Sequence, residues 1–332
     1  MPSSDTLEKA ENYLSRALRL DHTLEDAWNE LGECYWKKNC LSLAMRCFSQ
    51  CLERNSKNIV SLRKLSIVYR QINEDNILRK RTNIEKSVKL AKDAVSVDFK
   101  DNESWYVLGN AYLSLFFMDA SDDTQLDSAL KAYHCSLEQH KKQQGVSKKN
   151  PDLYYNRAII YKYREDYQLA LDGFNKALEL ENGNWDAPQK YIQEIQSNIK
   201  QIDDVLTKTK KTNNMKKPTV KNFINYSPIF SHSIHNDRTC MSMDTLQTGL
   251  NKGAYFIAKV KKVVSPSESV PRIAVCSDRN SQLMVISIYN ITSNAIKKGD
   301  LIAVADPFVK DIHLSTGQLV SITYVGTITF QI

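Results

Sequence analysis

The sequence predicts an α+β chain in two parts: an all-α superhelix of repeated helix pairs, followed by a C-terminal all-β barrel. Three observations carry this. Small and large apolar residues recur with helical period in blocks of about 34 residues between Asp26 and Trp185. After about Pro218 the apolar period falls from about 3.6 residues to about 2. Between the two, Val205 to Asn236 holds six lysines and no acidic residue.

The first full repeat is Asp26–Asn58, DAWNELGECYWKKNCLSLAMRCFSQCLERNSKN. Trp28, Leu31, Gly32 and Tyr35 fall on one helix and Ala44, Phe48 and Cys51 on the next. Counted from Glu25 these are positions 4, 7, 8, 11, 20, 24 and 27 of the tetratricopeptide (TPR) pattern. Small residues at 8, 20 and 27 let two antiparallel helices touch, and large ones at 4, 7, 11 and 24 fill the space between neighbours. Residues 5–24 read as the second helix of a repeat whose first helix is absent, which is expected to leave an apolar face open. Repeats follow at 25–58, 59–101, 102–150 and 151–184, with a capping helix at 185–206. The second repeat carries an insertion around Asn73–Asn83 that delays its second helix to about Ile84–Val97. The third carries another at Asp119–Gln125 and a polar loop at Lys141–Asn150.

A basic linker is assigned to 207–217 and the β domain to 218–332. The runs AYFIAKVKKVV, RIAVC, QLMVISIYNI, DLIAVADP and QLVSITYVGTITF are β-branched and separated by turn-forming residues. Five or six short strands in so few residues suggest an oligonucleotide/oligosaccharide-binding (OB) barrel. Tyr255, Phe256, Tyr289 and Tyr324 have the chemistry to stack bases, although at strand spacing such residues are more often core.

Composition is that of an ordinary soluble protein: of 332 residues 42% are apolar and 25% charged, with formal charge +7. Seven cysteines without a CxxC pair read as reduced thiols, four of them in helical patterning. No apolar leader or membrane-length run occurs, so a cytoplasmic and nuclear location is expected, with no membrane partner. The chain has no P-loop, GxSxG, HExxH or Gly-rich dinucleotide turn, and His232 and His235 stand without nearby cysteines. No enzyme, cofactor or metal is expected.

The concave groove is the better place to look. Positions 2, 5, 9, 12 and 13 of each first helix face it. They yield Asp26, Asn29, Glu33, Trp36 and Lys37, then Arg63, Ile67, Arg70 and Gln71, then Glu103, Tyr106, Asn110 and Leu113. The fourth repeat adds Asp152, Tyr155, Lys162 and Tyr163, with Asn156 beside them, and the fifth adds Asp186. Asn amides pair with a peptide backbone, Arg forks onto a carboxylate, and paired Asp holds a guanidinium. Arg70 is the candidate for an acidic side chain, Asp152 and Asp186 for a basic one, with Asn29, Arg63, Asn110, Tyr155 and Asn156 beside them. Glu33 and Asp152 carry the wrong charge for a clamp on a C-terminal carboxylate. Lys208, Lys210 and Lys211 belong to the basic segment, which reads as a solvated linker or as a contact with nucleic-acid phosphate.

AWNELGECYWKKN, SWYVLGNAYLSLFF, NPDLYYNRAIIYKY and ALDGFNKALELE, followed by a lysine linker and a β domain, resemble the family of tetratricopeptide repeat protein five, the stress-responsive activators also known as Strap. The resemblance is specific in the repeats, weaker over the β domain, and implies an N-terminal helical section absent from this sequence. It implies two roles. One is a ribosome-associated reader of the Met-Arg-Glu N terminus of nascent tubulin, which triggers tubulin mRNA decay through an mRNA-decay adaptor. The other is a nuclear transcription cofactor that scaffolds acetyltransferase coactivators, with the OB fold binding DNA or protein. The family's peptide-contacting arginine falls on Arg70, its acidic contacts on Asp152 and Asp186, and its ribosome-contacting lysines on Lys208 and Lys210.

Overall fold

The structure, a computed structural model, describes residues 4–118, 123–142, 150–213, 238–278, 280–289, 295–314, 317–324 and 329–331. The chain divides into two compact units, Met1–Arg157 and Ala158–Ile332.

The first unit holds α1 (Ser4–Leu20), α2 (Glu25–Lys37), α3 (Leu41–Arg54), α4 (Ile59–Gln71), α5 (Ile77–Val97), α6 (Asn102–Met118), α7 (Thr124–Lys142) and the first half of α8 (Pro151–Tyr163). Helices α2 and α3, α4 and α5, and α6 and α7 pack as successive hairpins. The spacing of small residues explains why. A Cβ on Gly32 would stand 2.6 Å from the Phe48 ring, and one on Gly109 would stand 2.5 Å from Tyr133, so each glycine sets how closely its hairpin closes. Ala44, Phe48, Cys51, Ala91, Ala94, Ala129 and Tyr133 are fully buried at these seams. The repeat also recurs in its hydrogen bonds. Trp28 Nε1 donates to His22 O at 2.9 Å, and Trp105 Nε1 to Phe99 O at 2.7 Å, each tying a first helix to the turn before it. Asn39 takes a left-handed φ of 59° in the turn that folds α3 back on α2.

Helix α5 departs from expectation. It begins at Ile77 rather than near Ile84, so most of the insertion is two extra helical turns. The Asn76 side chain accepts from Leu78 N and Arg79 N, capping a segment whose Leu, Arg and Lys residues are good helix formers.

The second unit holds the rest of α8, α9 (Tyr167–Leu180), α10 (Asp186–Asn213) and the β domain. Helix α10 overruns the expected boundary at residue 206. It continues through 213, so Lys208, Lys210 and Lys211 ride on a helix and not in a linker. After Pro188 in its first turn no proline occurs before Pro218, and Ile202, Val205 and Leu206 are held by packing.

The β domain forms one sheet with nine strands among the described residues: β1 (Thr239–Cys240), β2 (Gly249–Leu250), β3 (Ala254–Val263), β4 (Arg272–Ser277), β5 (Leu283–Ile288), β6 (Leu301–Ala305), β7 (Phe308–Leu314), β8 (Gly317–Tyr324) and β9 (Thr329–Gln331). The β3–β4, β4–β5 and β3–β6 pairs are antiparallel, while β5 and β8 run parallel. Strands β6 and β7 are two halves of one strand bent at Asp306 and Pro307, where Asp306 has φ 47°. Because β6 pairs with β3 and β7 with β8, the ladder returns on itself and the sheet closes as the expected barrel. Inside lie Phe256, Ala258, Val260, Ala274, Cys276, Met284, Ile286 and Val304. Ile273, Val275 and Val285 on the outer face pack against Ile202, Val205 and Leu206 of α10. Strand β4 is therefore buried on both faces, which is why it reads as an unbroken apolar run.

Candidate functional site

Two arginines on α4, seven residues apart, meet opposite fates. The Arg63 guanidinium lies 2.6 Å from Asp101 and 2.9 Å from Glu103, so its charge is spent inside the fold. Arg70, on the last turn, has no carboxylate partner among the described residues. Its side chain is half-buried, and its Nε is buried without a hydrogen-bond acceptor. Burial pushes the guanidinium down to about 10, while the neighbouring phenols of Tyr133 and Tyr106 act in the opposite sense. An unpaired cation held partly out of water is costly, and an incoming carboxylate would relieve that cost.

Tyr106 of α6 and Tyr133 of α7 lie within electrostatic reach of it, and Asn110 links these helices to α8. Asn110 of α6 accepts at Oδ1 from Tyr133 Oη of α7 (2.7 Å) and from Asn156 Nδ2 of α8 (2.9 Å). With its oxygen doubly engaged, the Asn110 amide is fixed in orientation, and Asn156 keeps its own carbonyl and a second N–H for a ligand. Burial raises the Tyr106 phenol; hydrogen bonds from Asn110 and Asn150 oppose this, and the nearby Asp152 carboxylate adds to it. Tyr133 is fully buried and pushed up by burial, so it stays a neutral donor. Asp152 is exposed in the first turn of α8, with Tyr155 half-buried one turn on.

The remaining sequence candidates divide. Arg70, Asn110, Asp152, Tyr155 and Asn156 share the first unit, around α4, α6 and α8. Asn29 shares that unit but is buried, with Oδ1 accepting from Ser61 and Nδ2 donating to Asn58, so its amide works inside the fold. That corrects its assignment to the groove, as the ion pairs of Arg63 correct the assignment there. Trp36 donates to Gln71 and Glu33 pairs with Lys64, which ties up the front of the groove internally. Asp186 is exposed in the first turn of α10, in the second unit. Lys162, read as a groove cation, is instead buried in that unit beside Glu194 at 3.2 Å and over the Tyr191 ring.

Lys208 is exposed on α10, and Lys210 and Lys211 lie on its last turns. Tyr255, Phe256 and Tyr289 are buried, so base stacking by them is ruled out, and Tyr289 Oη donates to Tyr163 O at 2.5 Å. The Tyr324 side chain, His232 and His235 lie outside the described residues. The cysteines are free thiols, but Cys40 is exposed at the start of α3 and is not a core residue. Among the described residues no His, Cys, Asp or Glu cluster has the grouping of a metal site, and no helix is long and apolar enough to cross a membrane. The hydrogen bond from Tyr133 to Asn110 carries no periodic signal in the sequence.

A family model described as Tetratricopeptide repeat protein 5 OB fold domain matches residues 237–325. One described as Tetratricopeptide repeat matches 25–58 and 151–184, the same bounds that the small-residue spacing yields. Tetratricopeptide repeat protein 5 of Homo sapiens is 33% identical over 313 residues, covering 91% of this chain and 70% of that protein. Its Bos taurus counterpart is 34% identical over 315 residues, with the same coverage. Among solved structures, TTC0263, a thermophilic TPR protein of Thermus thermophilus, is similar at 19% identity and TM-score 0.44, over 57% of this chain and 90% of that one.

Proposed function

The chain belongs to the tetratricopeptide repeat protein 5 family, and from that premise we propose that its helical groove reads the Met-Arg-Glu N terminus of nascent tubulin on the ribosome. The protein is a TPR interaction scaffold; in this reading it is a non-enzymatic adaptor that recruits mRNA-decay machinery and so lowers tubulin mRNA. The observation that carries the reading is Arg70, a half-buried guanidinium with no carboxylate partner among the described residues. The peptide's glutamate supplies the missing anion, and Asn156 has capacity left for its backbone. Asp152 serves the peptide's arginine. Lys208, Lys210 and Lys211 on α10 face ribosomal RNA or an acidic ribosomal surface.

The test is titration of fluorescent Met-Arg-Glu-Ile onto the full chain, with Met-Arg-Arg-Ile and Met-Glu-Glu-Ile as controls. Saturable binding of the first peptide only, lost in Arg70→Ala and Asp152→Ala, is the expected outcome. Equal binding of all three peptides would overturn the reading.

A second reading has one observation of its own. Lys259, Lys261 and Lys262 on β3, with Lys297 and Lys298 in the turn that bonds back to Val260, form a basic edge on the barrel. None of the five makes an ion pair among the described residues. Such an edge suits DNA phosphate or an acidic protein, as a nuclear cofactor bridging acetyltransferase coactivators would need. Salt-insensitive or absent DNA binding by the full chain would remove that support.

A further inference from the structure

Helix α5 carries a length that the core does not use. Its buried residues, Ile84, Ser87, Val88, Ala91 and Ala94, form one stripe. Ahead of them every residue from Ile77 to Thr82 is exposed, which is about 9 Å of helix at 1.5 Å per residue. Ile77 is 67% exposed and Leu78 71%. Ile77 stands seven residues before Ile84, so it continues the line of the buried stripe beyond the part of α5 that is packed. The short turn between Val97 and Asn102 folds α6 back along α5, which brings the last turn of α6 toward the start of α5. There Phe117 is 56% exposed. Three large apolar side chains are thus open to solvent at one end of the first unit. Arg79, Lys80 and Arg81 stand among them. Arg81 pairs with Glu85 at 3.1 Å, one turn on, while Arg79 and Lys80 make no ion pair among the described residues.

We propose that this end of α5 docks an acidic segment of a partner protein, with apolar side chains on Ile77, Leu78 and Phe117 and carboxylates on Arg79 and Lys80. The surface is separate from Arg70 and does not depend on what the groove binds. Covering exposed aliphatic and aromatic side chains supplies affinity, because the gain grows with the apolar area removed from water. Exposed cations add less affinity, but they speed the encounter and select the sign of the partner. Nucleic acid fits this surface less well. Glu74, Asp75 and Glu85 interrupt the cations, and a phosphate chain has nothing to lay on two aliphatic side chains. The two extra turns of α5 therefore serve recognition and not the fold.

The experiment pans a phage library of random linear peptides on the full wild-type chain, with the double variants Ile77→Ser/Leu78→Ser and Arg79→Glu/Lys80→Glu as parallel targets. Enriched peptides are then made in fluorescent form and titrated on all three proteins and on Arg70→Ala. The expected peptides are enriched on the wild type and on neither double variant, and they carry several Asp or Glu residues beside large apolar ones. Each should bind both double variants about tenfold more weakly or worse, and Arg70→Ala as well as the wild type. The substituted side chains are exposed, so thermal unfolding should place both double variants at the wild-type midpoint. If Ile77→Ser/Leu78→Ser fails to fold, Leu78→Ser alone carries the test. Absence of any peptide that depends on Ile77 and Leu78 overturns the surface. Peptides that depend on them but are neutral or basic overturn the acidic partner. Poly(U) RNA binding that is lost in Arg79→Glu/Lys80→Glu and kept in Ile77→Ser/Leu78→Ser makes the face a phosphate contact and overturns the proposal.

Discussion

Arg63 and Arg70 carry the same side chain, on the same helix, for opposite purposes. Removing Arg63 breaks ion pairs to Asp101 and Glu103, and Asp101 also accepts from Ser104 N at 2.9 Å. Arg63→Ala should lower stability by about 1 kcal/mol and leave discrimination between glutamate and arginine peptides intact. Arg70→Ala should do the reverse. It should cost about 1.5–3 kcal/mol in peptide binding, read by titration, with a melting temperature unchanged or slightly raised because an unpaired charge has gone. Asp306 makes a separate residue-scale prediction. Its carboxyl is held below the ordinary 3.8, first by the hydrogen bond from Arg238 and also by that from Gly253 N–H. The folded value lies below the unfolded one, so its contribution is complete above the unfolded value and fades as pH falls through the folded one. Asp306→Asn keeps a residue that tolerates the left-handed backbone. Its stability deficit, measured by chemical unfolding, should be constant near neutrality and shrink once pH drops below 3.8.

At the scale of the element, the hairpins are set by two glycines under two rings. Gly109→Ala forces its Cβ to 2.5 Å from a Tyr133 ring whose hydroxyl holds Asn110. Gly32→Ala makes the equivalent clash with Phe48, far along the sequence from the Arg70 network. Both should lose about 1–3 kcal/mol of stability. Only Gly109→Ala should also weaken peptide binding, because only there does the displaced ring carry a hydrogen bond into the site. Titration of both variants below their melting temperatures separates the two effects. The β elements follow another logic. Strand β7, FVKDIHL, escaped sequence recognition because Lys310, Asp311 and His313 break its apolar run; backbone pairing to β8 and the bend at Asp306 make it a strand.

For the whole molecule, the division that matters is between cores and not between secondary-structure classes. From Ala158 onward the last repeat, with α10, belongs to the same compact unit as the barrel. Ile202 of α10 is buried against Ile273, Val275 and Val285, and Lys310 reaches Arg164 O and Asp166 Oδ1 at 2.7 Å each. Ile202→Asp places an unpaired carboxylate in that seam and should destabilise the second unit by roughly 3 kcal/mol or more. Calorimetry should show its transition falling while Arg70-dependent recognition of the glutamate persists below that transition, since the Arg70 network lies in the first unit.

The sequence by itself determined the repeats at 25–58 and 151–184, the change of period and the OB class of the C-terminal domain, because these rest on side-chain size and spacing along one chain. Glycine at position 8 and alanine at 20 and 27 announce a helical hairpin locally, and alternation announces a strand. It also singled out Arg70, through position and charge. What it left open was which polar residues still have capacity for a ligand. Asn29, Arg63 and Lys162 match the groove pattern as well as Arg70 does, yet their partners Ser61, Asp101 and Glu194 consume them. Only the tertiary structure decided that, because a hydrogen bond or ion pair is settled by which group arrives from another helix, and no period in the sequence encodes the arrival.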